Sequence, residues 1–169
     1  MTLPLVLDIE TLRSAYGARR LTPSTLVEEI IARRASARDP AIFISTVPDE
    51  VLRAAARQLM DAHPEPNSLP LWGIPFAAKD NIDAVGLPTT AACPAFAYEP
   101  HGDAAVVARL KEAGAILIGK TNLDQFATGL NGTRSPYGAP RSVFDPLYVS
   151  GGSSSGSASR HRGGCRGSR

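Results

Sequence analysis

The chain has 169 residues, of which 43% are hydrophobic, 20% charged and 6% aromatic, and its formal net charge is +2. This length is enough for one domain with a buried core, and the composition excludes the disordered, collagen-like and disulfide-rich classes. The charge does not indicate a nucleic-acid-binding domain, because the last eleven residues contain four arginines and no acid, leaving 14 basic and 16 acidic residues elsewhere.

Three further features of the sequence favour a cytoplasmic location. No apolar run approaches the about 20 residues that a membrane-spanning helix needs, so we expect no membrane partner. The N-terminal segment MTLPLVLDIE lacks the basic start and long apolar stretch of a signal peptide. The two cysteines, Cys93 and Cys165, lie far apart and do not suggest a disulfide framework.

Residues 1–70 are predicted to form a helical N-terminal flank. Apolar residues with helical spacing indicate a short helix that ends near Gly17. Thr22-Pro23 combines a capping hydroxyl with proline at the first helical position, which predicts the start of a second helix. A third helix is predicted to open at Pro48, and the proline-rich segment 63–70 ends the flank.

The pattern changes after this flank and predicts an α/β sheet. Residues 73–80 (GIPFAAKD) indicate a buried strand that ends on a charged residue, and residues 115–119 (AILIG) indicate another. Between them Asp103 is predicted to cap a helix whose inward-facing residues are Val106, Val107 and Leu110. Strand, helix and strand in this order are typical of an α/β fold. Residues 131–159, rich in Gly, Pro and Ser, are predicted to be mostly loop.

Lysine is rare in this chain, with three lysines among 18 basic residues. Lys79 follows the apolar run 74–78, and an ammonium group at the end of a buried strand is desolvated, which lowers its pKa. A neutral lysine can act as a general base, whereas arginine stays charged. The alternative is that Lys79 reaches solvent or pairs with Asp80 or Asp83. Lys111 is predicted to be solvated on the polar face of its helix.

The segment 151–157 (GGSSSGS) allows two interpretations. A Gly/Ser run is typical of a flexible linker. It can also form a tight loop whose glycines let main-chain amides and a serine hydroxyl approach another active group. A phosphate-binding loop is disfavoured, because no Gly-Lys-Ser/Thr sequence follows.

Three segments together resemble the N-terminal half of the amidase signature family. They are GIPFAAKDNIDAVGLPTT, AGAILIGKTNLDQFATG and VSGGSSSGSA, which occur in the family's order over residues 71–158. The resemblance implies part of the amidase-signature fold, a mixed β-sheet flanked by helices. Within the family, DQFATGL, RSPYGAPR and GGSSSGS are most similar to allophanate hydrolase. The family's tRNA-dependent amidotransferases usually carry a DEFAMGSS-type segment where this chain has residues 124–130.

The resemblance implies hydrolysis of amide or ureido C–N bonds by a Ser–cisSer–Lys triad, through an acyl-enzyme. Lys79 matches the catalytic lysine, and Ser153 matches the bridging serine, whose peptide bond is cis in the family. Neutral Lys79 would take a proton from Ser153, and Ser153 would take one from the nucleophilic serine, because a serine hydroxyl needs a base to become reactive. The resemblance implies no cofactor and no metal.

Further residues receive roles from the same resemblance. The supporting loop comprises Gly151, Gly152, Ser154 and Ser155, with the two serines supporting it by hydrogen bonding. Thr128, Gly129 and Leu130 would line the substrate pocket. Asp124 is predicted to cap a short helix rather than to act as a catalytic carboxylate.

The implied substrate is a small amide or ureido carboxylate such as allophanate, which would be hydrolysed to ammonia and carbon dioxide. An arginine would suit a carboxylate substrate, although Arg134 and Arg141 are, like Tyr137, predicted to be structural or pocket-rim residues. His63 and His101 have no metal-ligand spacing. Members of the family are often homodimeric.

The family's nucleophilic serine has no match in this chain. It would follow Ser153 by roughly two dozen residues, whereas sixteen remain, and the setting of Ser168 (CRGSR) matches nothing in the motif. The similarity stops at Ser159, where the basic tail 159–169 begins, and a neighbouring frame of one back-translation of residues 159–167 encodes a small-residue apolar helix. We therefore expect a truncated, inactive chain whose tail is a frameshift product.

Other functional classes remain open from the sequence. Within the family, a general amidase or a homologue of the tRNA-dependent amidotransferase A-type subunit is the alternative to allophanate hydrolase. Outside it, the chain would be a non-catalytic fragment with an RGG-like RNA-binding tail. Four arginines without an aromatic residue give weak, salt-sensitive attraction to RNA, so we expect no nucleic-acid partner.

Overall fold

The computed structural model describes residues 7–36 and 39–161, and it has a mixed α/β architecture. The helices are α1 (Ile9–Gly17), α2 (Pro23–Ala35), α3 (Asp49–Ala62), α4 (Ala105–Glu112) and α5 (Ser155–His161). The strands are β1 (Phe43–Thr46), β2 (Pro75–Lys79) and β3 (Ile116–Thr121). Short 3₁₀ turns occupy Pro40–Ile42, Pro94–Phe96 and Gln125–Ala127. Cys165, Ser168 and most of the basic tail lie outside the described residues.

The three strands form a mixed sheet in the order β1-β3-β2. β2 and β3 are parallel, and the register places Lys79 opposite Thr121. β1 pairs with β3 in the antiparallel direction. All six residues of the central strand β3 are buried, as expected for a strand covered on both faces. The sequence prediction of an α/β fold with a mixed sheet and flanking helices is thereby confirmed.

The N-terminal helices cover the sheet through one hydrophobic core. α2 packs against α3, and the core includes Leu26, Leu52, Trp72 and Ile118. The predicted start of α2 is confirmed, since Thr22 Oγ1 accepts from the Thr25 amide at 3.2 Å. This cap satisfies one of the amides that a helix N-terminus leaves without a partner.

Two details of α4 differ from the sequence prediction. Asp103 does not cap the helix, because α4 begins at Ala105 and the Asp103 carboxylate instead accepts hydrogen bonds from the Val85 amide and Lys111 Nζ. Val106, predicted to face inward, is 53% exposed, while Val107 is buried. The buried face of α4 is therefore narrower than the apolar residues of its sequence suggest.

Residues 131–154 contain no helix or strand, as predicted, but the last residues of the predicted loop segment 131–159 are helical. The helix α5 begins at Ser155 and directly follows residues 151–154, the serine loop. Its first turn docks onto the chain after β3, where the Gly156 amide donates to the Asn122 carbonyl at 3.0 Å. A side chain at Gly156 would collide with the Ile42 carbonyl, so glycine permits this close approach. None of the described helices is long and apolar enough to cross a membrane.

Candidate active site

Lys79 and Ser153, 74 residues apart in sequence, meet at the end of β2. Lys79 Nζ donates a hydrogen bond to Ser153 Oγ over 2.8 Å, and both residues are partly buried. Burial lowers the pKa of Lys79 below its ordinary value of 10.5, and the negative charge of Asp124 opposes this effect. A lowered pKa makes the neutral amine more available, which is what a base acting on the Ser153 hydroxyl requires.

The sheet and α5 together hold this pair in place. β2 brings Lys79 alongside Thr121 of the buried strand β3. Thr121 Oγ1 is hydrogen bonded to Ser157 Oγ at 2.8 Å, which ties β3 to the helix that follows the serine loop. The lysine therefore sits on a strand and the serine lies just before a helix, and the sheet and this helix are joined directly.

The serine loop is stabilised by main-chain hydrogen bonds. The Gly152–Ser153 peptide bond is cis, as the resemblance implies for a bridging serine, and Gly151 has a φ of +85°, a conformation that favours glycine. The Gly152 amide donates to the Leu130 carbonyl at 2.9 Å. The amides of Asp124 and Ser155 both donate to the Ser153 carbonyl, at 2.9 and 3.0 Å. The loop is thus a fixed structure and not a flexible linker.

The two serines after Ser153 support the loop less directly than predicted. Ser155 contributes its main-chain amide, but its buried hydroxyl has no hydrogen-bond partner among the described residues. Ser154 is exposed, and its carbonyl accepts from the Ala158 amide within the first turn of α5. Their side chains therefore do not hold the loop by hydrogen bonds in the described structure.

The prediction that the Asp124 side chain caps a short helix is wrong. Asp124 precedes the 3₁₀ turn Gln125–Ala127, but its carboxylate makes no capping hydrogen bond there. The carboxylate is 0% exposed and accepts hydrogen bonds from the amides of Gly132 and Arg134 instead. A longer loop closes back over Asp124 and supplies these partners, which local sequence spacing does not reveal.

The segment predicted to line a substrate pocket lies beside the serine loop. Leu130 accepts the Gly152 hydrogen bond through its carbonyl, while its side chain is 89% exposed. Gly129 is buried against Asp124, and Thr128 is exposed. A cavity of about 630 Å³ borders the serine loop at Ser150 and Ser154; its lining, residues 142–144, 150, 154 and 157–159, includes none of residues 128–130. The pocket role of 128–130 stays a prediction.

The predicted rim arginines donate to main-chain carbonyls. Arg134 Nη1 donates to the Thr128 carbonyl at 3.3 Å, and Arg141 Nη1 donates to the Pro146 carbonyl at 2.7 Å. Both contacts are exposed, in keeping with a structural or rim position. Among the residues that the structure describes, no group of three His, Cys, Asp or Glu side chains could hold a metal ion.

Sequence reasoning missed a buried ion pair next to the candidate site. Lys120 and Asp80 are both 0% exposed, and Lys120 Nζ lies 3.3 Å from Asp80 Oδ1. The sequence did carry a signal for this pair: Lys120 follows the apolar residues 116–119, and a lysine at the end of a buried strand is expected to be desolvated, as for Lys79. Lys111, predicted to be solvated, is paired with Asp103 at 2.8 Å and only partly exposed.

Comparison with known proteins identifies the family. The family model described as amidase matches residues 25–160, which is most of the chain. This chain belongs to the amidase family. Three relatives illustrate the match: urea amidolyase of Lachancea kluyveri (54% identity, 80% of this chain), urea amidolyase of Saccharomyces cerevisiae (50%, 90%) and the A-type subunit of glutamyl-tRNA(Gln) amidotransferase from Lawsonia intracellularis (45%, 74%).

Solved structures of the family share the fold. A variant of Kluyveromyces lactis allophanate hydrolase matches 97% of this chain with 46% identity and a TM-score of 0.84, and K. lactis urea amidolyase matches 95% with 46% identity and a TM-score of 0.81. The chain spans 27% of that allophanate hydrolase chain and 10% of the urea amidolyase chain. It likewise spans 7%, 8% and 26% of the three sequence relatives.

Proposed function

We propose that this chain supplies the base and the bridging serine of an amidase-family hydrolase. Neutral Lys79 takes the proton of the Ser153 hydroxyl, and Ser153 takes the proton of a nucleophilic serine that attacks the amide or ureido carbonyl. The observation that carries the proposal is the 2.8 Å hydrogen bond from Lys79 Nζ to Ser153 Oγ. The burial that lowers the pKa of Lys79 supports it, because the relay needs an unprotonated amine.

The substrate we propose is allophanate, hydrolysed to ammonia and carbon dioxide. The support is similarity: relatives that are half identical to this chain are urea amidolyases, and a solved relative is an allophanate hydrolase. The 45% identity to a glutamyl-tRNA(Gln) amidotransferase chain supports a second candidate, release of ammonia from an amide substrate for an amidotransferase.

We further propose that the 169-residue chain does not catalyse this hydrolysis by itself. Among the described residues, Lys79 is the hydrogen-bond partner of Ser153 Oγ, and no second serine hydroxyl contacts it. A relay without a nucleophile forms no acyl-enzyme. Loss of a serine nucleophile costs about 10⁶ in kcat in subtilisin. We expect no ammonia release from allophanate and no labelling by a serine-directed fluorophosphonate.

A chimera tests the proposed role of this chain in a complete enzyme. Residues 25–160 of this chain would replace the matching segment of S. cerevisiae urea amidolyase, with which the chain shares 50% identity. We expect the chimera to hydrolyse allophanate. Lys79→Arg, which keeps a cationic donor that cannot become neutral, should abolish hydrolysis.

The matched control is Lys111→Arg, because Lys111 lies on α4 and pairs with Asp103. This variant should keep the activity of the chimera. A folded chimera that hydrolyses glutamine amide but not allophanate would favour the amidotransferase candidate. A Lys79→Arg chimera with undiminished hydrolysis would overturn the assignment of Lys79 as the base.

A further inference from the structure

The carboxylate of Asp124 is fully buried and joins three segments around the serine loop. Oδ2 accepts from the Gly132 amide at 3.0 Å, and Oδ1 accepts from the Arg134 amide at 2.8 Å. The Asp124 amide donates to the Ser153 carbonyl at 2.9 Å. A single residue therefore connects the end of the β3 segment, the 132–134 turn and the serine loop.

Gly129 and Gly152 leave room for the Asp124 carboxylate because neither carries a side chain. A Cβ built on either Gly129 or Gly152 would collide with the Asp124 side chain. Gly152 is also the residue directly before Ser153. The Asp124 side chain is therefore packed against the main chain that presents the Ser153 hydroxyl, and a displaced carboxylate would displace that main chain.

The buried charge acts on Lys79. The hydrogen bonds to the carboxylate come from main-chain amides, and the neighbouring Arg134 guanidinium donates to the Thr128 carbonyl instead. The negative charge of Asp124 raises the pKa of Lys79 against the larger, lowering effect of burial. When Lys79 accepts a proton it becomes a cation, and a carboxylate in a poorly solvated setting stabilises that cation.

We propose that Asp124 is a positioning residue for the Lys79–Ser153 pair, holding the serine loop in place and supplying the anionic charge that stabilises Lys79 once it is protonated. This inference rests on the proposed function and extends it. Asp124 need not touch the substrate. It acts on the proton relay through the main chain of Ser153 and through its field at Lys79.

The first test uses the pH dependence of lysine acylation in the 169-residue chain. An amine-directed acylating reagent modifies neutral amines, and the three lysines lie in different peptides that mass spectrometry separates. Asp124→Asn keeps the shape and one acceptor but removes the charge. We expect the midpoint of Lys79 acylation to move to lower pH, with an acylation rate at least threefold higher below the midpoint.

Asp103→Asn is the matched control, because Asp103 also accepts a main-chain amide and faces a lysine, Lys111. It should change acylation of Lys111 and leave that of Lys79 unchanged, whereas Asp124→Asn should do the reverse. A merely structural role for Asp124 predicts the opposite sign at Lys79, since an opened loop would solvate the amine and move the midpoint up towards 10.5. An unchanged or raised midpoint overturns the proposal.

A second measurement uses the unmodified chain and does not depend on the folding of a variant. The amides of Gly132 and Arg134 donate to the buried carboxylate, whereas the Thr133 amide between them donates to the exposed Asn131 side chain at 3.3 Å. Gly132 and Arg134 should therefore exchange with deuterium at least tenfold more slowly than Thr133. Equal exchange at the three amides would overturn the proposal. Neither test needs catalytic turnover. A failure of the proposed function in the chimera can therefore be distinguished from a failure of the role proposed for Asp124.

Discussion

Lys79 and Asp80 are adjacent in the chain, yet their side chains have separate partners. Lys79 Nζ donates to Ser153 Oγ, whereas Asp80 is paired with the buried Lys120 at 3.3 Å. The other Asp80 oxygen accepts from the amide and hydroxyl of Thr90, at 3.0 and 2.5 Å. Asp80 is therefore paired with Lys120 and not with Lys79, and the Lys79 amine is available to Ser153. This arrangement excludes the alternative in which Lys79 pairs with Asp80.

Lys120→Met is expected to destabilise the chain strongly. The substitution would leave Asp80 as a buried charge without its ion-pair partner, and breaking a buried pair from one side typically costs about 3–5 kcal/mol. The free energy of unfolding should be measured by urea denaturation. The double variant Lys120→Met with Asp80→Asn should recover part of the loss, because it removes the unpaired charge.

Lys111→Met is the control for this prediction. Lys111 also pairs with an aspartate, Asp103, but its side chain is partly exposed, and such pairs contribute about 1 kcal/mol or less. A Lys120→Met variant that loses no more stability than Lys111→Met would show that the buried pair has little effect on folding.

The lowered pKa of Lys79 predicts how stability depends on pH. Between the folded-state pKa and the ordinary value of 10.5, the unfolded chain binds the Lys79 proton and the folded chain does not. Stability contributed by this site therefore rises with pH through that window. The difference in free energy of unfolding, wild type minus Lys79→Met, should increase up to pH 10.5. Urea denaturation at several pH values measures it, and a difference that falls with pH would contradict the lowered pKa.

Gly152→Ala is expected to disturb the candidate site. A Cβ at this position would collide with the Gly132 amide and with the Asp124 carboxylate, which two main-chain amides hold in place. Overpacking of this kind typically costs about 1–3 kcal/mol, and it should move Ser153 away from Lys79. Gly102→Ala is the control, because nothing lies within 4 Å of its built Cβ. Equal stability of the two alanine variants, measured by thermal unfolding, would show that the loop yields easily.

Local rules predicted local structure well and long-range contacts poorly. The Thr22 cap and the strand ending at Lys79 depend on neighbouring residues and were predicted. Asp103 and Asp124 were both assigned to caps, the common local role of aspartate, but their partners come from loops closed by the fold. The proximity of Lys79 and Ser153 came from the family resemblance, because no spacing rule joins residues 74 positions apart.

Tyr16 links α1 to the segment that leads into β2. Its hydroxyl donates to the Gly73 carbonyl at 2.9 Å, and its ring packs edge-on against Trp72 with centroids 5.0 Å apart. The residue is completely buried, and burial raises the pKa of its hydroxyl. Tyr16→Phe should therefore lower the free energy of unfolding by about 1–1.5 kcal/mol at neutral pH, because the Gly73 carbonyl loses its donor.

The pH dependence of this loss gives Tyr16→Phe a second readout. Stability from a group with a raised folded-state pKa is fully present below the unfolded value, 10.0 for tyrosine, and is lost as the pH rises above it. The gap between wild type and Tyr16→Phe should therefore narrow above pH 10. Tyr98→Phe is the control, since Tyr98 is exposed and its hydroxyl bonds to Asp83 at the surface. If Tyr98→Phe lowered the free energy of unfolding as much as Tyr16→Phe at neutral pH, the buried hydrogen bond of Tyr16 would contribute no more to stability than an exposed one.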